Sequence, residues 1–515
     1  MMLLRRLPRW IFLLPFLAVL AACTTVGPDY RVPDEAVVKQ EKAGAEFVSA
    51  KEPIYVPDDL PRDWWHMYEQ TTLNELINKA LAANTNLRIA TANLARSRAI
   101  LEEARTMTDP IFDLGATPTY GINATKYGAA REHNHWFYSM GAGMSYQLDL
   151  FGKLARAIEA ATADMEATRA AYDLMRITVI ADTTRAYLDV CSSGHQIDVA
   201  RHSVDLQEKF VNTTERLASG GRATALEVSR TRAQLEQLRA AVPPLVAQQR
   251  TAVYQLAVLT GELPDTLTDK VGQCRAIPAL TRPIPVGDGA ALLKRRPDIR
   301  EAERALAAAT ARIGVATAEL YPDISLGLTL GSTGTFSDWG SSNFFRWGVG
   351  PLISWTLPAT GPARARIKQA EAATAAALAY FDGTVLRALK ETESALTTYA
   401  RALDRNAALK EARDQSALAS RQAHMLYEYG RTDFLTTLDA DRTLADFESR
   451  LAESEAQLAR NQVELFLALG GGWDPAATEE KPETETAPAI TEAEPVAETA
   501  AETETTPEEP AAPAP

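Results

Sequence analysis

Few side chains in this sequence stand at spacings that support catalysis or metal binding. His133 and His135 are two residues apart, but they fall in a polar stretch between two strand-like runs, and no further ligand pattern accompanies them. Glu102 with Glu103, and Glu391 with Glu393, read as acids on helix surfaces. No phosphate-binding glycine loop, nucleophile elbow or dinucleotide fingerprint occurs, so the sequence does not read as an enzyme and calls for no cofactor and no metal. The three cysteines, Cys23, Cys191 and Cys274, are too few and too scattered for a disulfide framework or a zinc site. Cys191 falls on the seam of a long helix and Cys274 in a linker, which makes a bond between them the lesser expectation. Asp433 and Asp439 follow the turn at Gly430-Arg431. Asp433 is placed to cap the helix that follows, and Asp439 lies on a face of that helix.

Cys23 has a context of its own. Arg5, Arg6 and Arg9 precede the apolar run Trp10–Leu20, which is too short to span a membrane and has the layout of a secretory signal. Leu20-Ala21-Ala22-Cys23 resembles a lipobox, which implies cleavage before Cys23 and lipid attachment to it. Thr24 in place of an aspartate implies, by the same resemblance, sorting to the outer membrane.

The elements that must position these residues come in two kinds. Four stretches, Ile111–Ile122, His135–Leu150, Ile324–Thr333 and Phe345–Leu357, alternate apolar with small or polar residues. Phe112, Leu114, Tyr120 and Ile122 oppose Asp113, Gly115 and Thr119, and Ile324, Leu326, Leu328 and Leu330 oppose Ser325, Gly327, Thr329 and Gly331. That is strand periodicity, with the length and aromatic ends of membrane-spanning barrel strands. Their Trp and Tyr fit interfacial anchors better than a ligand cage. Four strands cannot close a barrel, and open edges in lipid leave backbone groups unpaired. Either several copies share one barrel, or the strands are soluble hairpins packed on helices.

The second kind is long helices, written twice. Asn86-Leu87-Arg88 matches Asp298-Ile299-Arg300 and Pro110 matches Pro322, at an offset of 212. Gly152 matches Gly361, Gly221-Arg222 matches Gly430-Arg431, and Gly261 matches Gly470, at an offset of 209. No proline occurs from Gly152 to Gly220, and only Pro362 from Gly361 to Gly430. A helix of that length reaches about 100 Å. Heptad-like seams run through Leu174, Ile177, Ala181, Thr184, Leu188 and Cys191, and through Leu444, Phe447, Leu451, Ser454, Leu458, Asn461, Leu465 and Ala468. Pro243-Pro244 is expected to break or kink the returning helix of the first copy.

The expected division is a signal segment at 1–22, a lipid-anchored extended tether at 23–70 and a first repeat at 71–262 with its hairpin at 111–150. A linker at 263–290 and a second repeat at 291–473 with its hairpin at 324–357 follow, and an acidic tail at 474–515 is expected to be disordered. Residues 475–515 carry eleven glutamates and one lysine, so −10 of the net −14 belongs to the tail and only −4 to the rest. No basic domain suggests nucleic-acid binding.

The lipobox followed by Val26-Gly27-Pro28-Asp29-Tyr30-Arg31-Val32-Pro33, the strand ending Leu148-Asp149-Leu150-Phe151-Gly152 and the terminal Leu469-Gly470-Gly471-Gly472-Trp473 resemble outer-membrane efflux lipoproteins of the TolC/OprM class, nearest the NodT branch. The resemblance covers nearly all of residues 20–473. It implies a mainly α chain with a membrane β-barrel portion, built as a duplicated helix–β-hairpin–long coiled-coil helix unit. It also implies a homotrimer in the Gram-negative outer membrane, whose three chains share a 12-stranded β-barrel above a periplasmic α-helical barrel. Such proteins are passive exit ducts for small molecules, served by a periplasmic adaptor and an inner-membrane pump. By resemblance, Leu435 and Asp439 line the periplasmic aperture and Tyr427 braces neighbouring helices. Gly430, Arg431 and Asp433 form one helix turn, and Ser219, Gly220 and Gly221 the other, an adaptor contact or a plain turn. Ala218, Thr224, Leu226 and Arg230 hold the equivalent positions of the first copy, so a charged gate belongs to the second. Two other readings stay open: a structural envelope lipoprotein without a pore, and an exit duct for type I protein secretion.

Overall fold

The computed structural model describes residues 25–121, 134–264, 266–267, 271–280, 282–336, 345–355 and 360–472; Cys23, Ile122, His133, Leu357, Trp473 and the acidic tail lie outside these residues. The first repeat holds α1 (Thr71–Ala83), α2 (Thr85–Thr106), strands β2 (Ile111–Gly121) and β3 (His135–Leu148), α3 (Lys153–Ser219) and α4 (Ala225–Thr260). The second holds α5 (Gly289–Arg295), α6 (Pro297–Ala318), β5 (Asp323–Thr335), β6 (Phe345–Ser354), α7 (Thr360–Glu428) and α8 (Phe434–Ala468). Two-residue strands β1 (Tyr55–Val56) and β4 (Ile284–Pro285) pair in parallel, joining the tether to the linker between the repeats.

The duplication extends to individual hydrogen bonds. Asn84 caps α2, its side-chain oxygen accepting from the amides of Asn86 and Leu87, while its Nδ2 donates to the carbonyl of Leu259 at 3.0 Å. Arg296, equivalent at the 212 offset, precedes α6 and donates from Nη1 to the carbonyl of Ala468, also at 3.0 Å. Leu259 and Ala468 are themselves 209 apart, so each repeat ties the start of its short helix to the last turn of its returning helix. Those last turns otherwise leave carbonyls without intrahelical partners.

Packing follows the predicted seams. Ile177, Ala181, Thr184, Leu188 and Cys191 are buried along α3, and Leu444, Leu451, Ser454, Asn461, Leu465 and Ala468 along α8. Alanine and serine at these positions let the helices lie close, and alanine also favours uninterrupted helix. α3 lies against α2, α4, α6 and α8. The expected break at Pro243-Pro244 does not occur: α4 runs from Ala225 to Thr260 with both prolines inside it. Its length and its packing along α3 outweigh two lost backbone donors.

The tether is held at named points. Trp64 is buried and stacks on Phe466, ring centroids 4.5 Å apart. Glu393 accepts from the amides of Val48 and Ser49, and Asp382 from that of Val37. Glu391 binds Arg296 at 2.8 Å. Glu391 and Glu393 are therefore anchors rather than plain surface acids. Near the start of α3, beside the sheet, buried Arg156 donates to the carbonyls of Val26 and Gly27 and to Asp29. Gly27 has φ +89° and lies where an added Cβ would meet the Cα of Gly314 at 2.4 Å.

Cys191 and Cys274 are bonded, with Cα atoms 4.7 Å apart, against the expectation from sequence. The seam position of Cys191 faces the linker at this level, and the linker backbone runs directly against α3.

Candidate functional site

Two places in the molecule are built for more than holding the chain together. The first is the sheet, ordered β2-β3-β5-β6 and antiparallel throughout. Its register places Phe112, Met144, Leu328 and Val349 in one row across all four strands, and Leu114, Ala142, Leu330 and Trp347 in the next. The opposite face carries Asp113, Gly143, Thr329 and Gly348, then Gly115, Gly141, Gly331 and Arg346. One face is thus apolar and the other small or polar, as expected where a wall separates lipid from water.

The apolar face is uncovered. Leu114 is 87% exposed, Phe112 73% and Trp347 68%, large apolar side chains side by side on one face, as at a membrane or partner surface. Strands of 10 to 14 residues are long enough to cross a bilayer's hydrocarbon core. Aromatic pairs mark both ends of the sheet, Tyr120 with Trp136 and Phe151 stacked on Tyr321, where aromatic side chains anchor a protein at the headgroups. Among the described residues, the outer edges of β2 and β6 have no strand partner. Among the described residues no helix is long and apolar enough to cross a membrane.

The second place is the pair of helix turns at the far ends of the long helices. In the first, Gly221 takes φ +71°, its amide donates to the carbonyl of Ala218, and that of Arg222 to Leu217. In the second, Gly430 takes φ +68°, its amide donates to Tyr427, and that of Arg431 to Leu426. This is one C-terminal cap motif repeated at the 209 offset, and glycine is needed for its left-handed residue. Thr224 caps α4 with Glu227 completing a capping box, and Asp433 caps α8 by accepting from the Thr436 amide at 2.8 Å. Hydrogen bonding from Thr436, by its side chain first and its amide second, holds the Asp433 carboxyl below the usual carboxylate range. Ser219 Oγ donates to the carbonyl of Arg216, and Ser219 and Gly220 are exposed.

Behind the turns Phe210, Phe434 and Leu438 are buried together, with Tyr427 packed against them. Tyr427 is edge-on to both Phe210 and Phe434 and so ties α7 to α3 and α8. Leu435 is 52% exposed and Asp439 is exposed on the same helix. The acid engaged by α7 is Asp441, whose carboxylate oxygens both lie 2.9 Å from His424 Nε2 and which accepts from Ser420 Oγ at 2.7 Å. The hydrogen bond to Asp441 is the main cause raising the His424 pKa above its ordinary value, against desolvation. His424 lies six residues before Gly430 and Asp441 ten after Arg431, so the pairing follows from the packing of α7 on α8 and not from spacing about the turn. Among the described residues no group of three or more His, Cys, Asp or Glu side chains is placed to hold a metal ion.

The sequence pattern of the family described as outer membrane efflux protein matches residues 76–262 and 290–471. Nodulation protein T of Rhizobium leguminosarum bv. trifolii is 25% identical over 467 residues, spanning 90% of this chain and 97% of its own length. The toluene efflux pump outer membrane protein TtgF of Pseudomonas putida is 28% identical over 467 residues, spanning 88% of this chain and 95% of its own. Among solved structures, the outer-membrane channel OprN superposes with a TM-score of 0.82 at 36% identity, covering 88% of this chain and all of that one.

Proposed function

This chain belongs to the outer membrane efflux protein family, and on that premise we propose that three copies form one outer-membrane exit duct. The sheet carries this reading: a four-stranded sheet with one mainly apolar face and, among the described residues, two open edges is unfinished alone and complete when β6 of one copy pairs with β2 of the next. Twelve strands then close a barrel with no edge left in lipid. The face bearing Gly115, Gly141, Ser139 and Arg346 lines a water-filled passage, and the face bearing Leu114, Leu330 and Trp347 meets lipid. A lipid on Cys23 adds an anchor beside the barrel, because the clamp at Arg156 holds Val26 near the base of the sheet.

The long helices continue the passage through the periplasm. Leu435 and Asp439, exposed beside the second turn, line its inner aperture, and Tyr427 braces the helices that carry them. The turns at Ser219, Gly220 and Gly221 and at Gly430, Arg431 and Asp433 are the surfaces offered to a periplasmic adaptor. Transport through the duct is passive, and an inner-membrane pump delivers the cargo. The cargo class is small molecules, the class named for the toluene-exporting relative. Purified protein in a planar bilayer is expected to conduct, and Asp439→Ala to raise the conductance and weaken cation preference. An Asp439→Ala channel with unchanged conductance and selectivity removes that residue from the aperture.

A further inference from the structure

We infer that Cys191 and Cys274 are an oxidative maturation site, whose disulfide clamps the segment between the repeats onto α3 and fixes the base of the first repeat's helical hairpin. The juxtaposition is built rather than incidental. A Cβ added to Gly194 would lie 2.0 Å from the carbonyl oxygen of Cys274, so the linker backbone touches the helix where only glycine lets it. One helical turn separates that glycine from Cys191. Gln249 on α4 reaches both elements, its Nε2 donating to the carbonyls of Val190 and Gly272 at 3.3 Å each. Arg275 pairs with Asp198 at 3.4 Å, and Leu267 and Val271 of the linker are buried in the main core.

The bond joins residues 83 apart in sequence, and the loop it closes contains the far half of α3, the turn at Gly220-Gly221 and all of α4. The second repeat has no counterpart, because Ala400 stands at the position equivalent to Cys191. The clamp therefore distinguishes one hairpin from the other.

Cys274 is the more accessible of the two, Cys191 being fully buried. The Cys274 thiolate attacks the disulfide of a periplasmic dithiol–disulfide oxidant, forming a mixed disulfide. The Cys191 thiolate then attacks the Cys274 sulfur and releases the oxidant as its dithiol. Two protons leave the protein's thiols and two electrons pass to the oxidant. The step rests on the periplasmic placement of the helical body. A bond that forms in protein that does not conduct leaves the clamp standing and overturns only the duct.

The test uses full-length protein extracted from outer membranes with free thiols blocked, then denatured and treated with a maleimide polymer before and after reduction. Two additional adducts per chain after reduction are expected, and no gain overturns the proposal. A second measurement addresses the clamp on folded, unreduced protein. Trypsin is expected to cut at Arg275, which Ala276 follows, roughly tenfold faster once reductant is added, because a released segment opens locally. Equal rates with and without reductant overturn the clamping role. The C191S/C274S pair is expected to be cut fast in both conditions, and Gly194→Ala to lower the oxidised fraction. Oxidation to completion in Gly194→Ala contradicts the docking geometry.

Discussion

His424 and Asp441 join α7 to α8 just inside the second turn, beside the contact of Tyr427 with Phe434 and the stacking of Phe434 on Phe210 of α3. The imidazolium is the form that Asp441 favours, with Glu428 adding a smaller attraction. Because the folded pKa is raised, this contribution is fully present below the ordinary histidine value of about 6.5 and is lost as pH rises through the folded value. Its size is about 1 kcal/mol, since the pair is part exposed. Amide protection over residues 420–441, corrected for intrinsic exchange, is expected to fall across that rise in pH, and His424→Ala to abolish the step. A step that persists in His424→Ala would assign it to another group. At the other end of the body, Arg156→Ala removes three hydrogen bonds to Val26, Gly27 and Asp29. A local loss of about 2 kcal/mol is expected, read as faster proteolysis at Arg31 with the helical body intact.

Among the elements, the strands carry the strongest contrast between faces. Arginine in place of Leu330 or Trp347 on the apolar face is expected to cost about 2–4 kcal/mol each if these positions lie near the bilayer midplane, and to prevent recovery of oligomers from the outer membrane. Arginine in place of Thr329 or Ser139 on the polar face is expected to be tolerated. Equal recovery of both sets contradicts a lipid-facing sheet. At the helix turns, Thr224→Ala breaks the capping box and is expected to cost about 1 kcal/mol, seen as fraying of the first turn of α4. Strands and long helices were legible in the sequence because each repeats one period over many residues: β2 and β3 end within two residues of where alternation places them. The duplication made the helix turns legible as well, since Gly221 and Gly430 perform the same backbone task. What escaped has no period. β1 and β4 have two residues each, and nothing in Tyr55-Val56 announces a partner more than two hundred residues away. Cys191 looked like a seam residue because a heptad does not say whether a helix or a linker fills the facing space. Asp439 drew attention over Asp441 because the resemblance to a family pointed there, whereas Asp441's partner becomes visible only once α7 and α8 are laid side by side.

At the scale of the whole molecule, each repeat supplies one hairpin to the sheet and two long antiparallel helices to the body. Duplication doubles the strand count within one chain, yet leaves the sheet open on both edges. Nothing in the described residues of a single chain covers the apolar face, and adding more of the same chain closes the edges while lipid covers the face. The mature oligomer is therefore as much a requirement of backbone hydrogen bonding as of function. The first measurement is the mass of the detergent-extracted particle from outer membranes, by light scattering corrected for bound detergent. Three chains per particle is the predicted result, matching a barrel in which every strand has two neighbours. A stable monomer would leave both edges of the sheet bare in the membrane and contradict the shared barrel, and with it the duct.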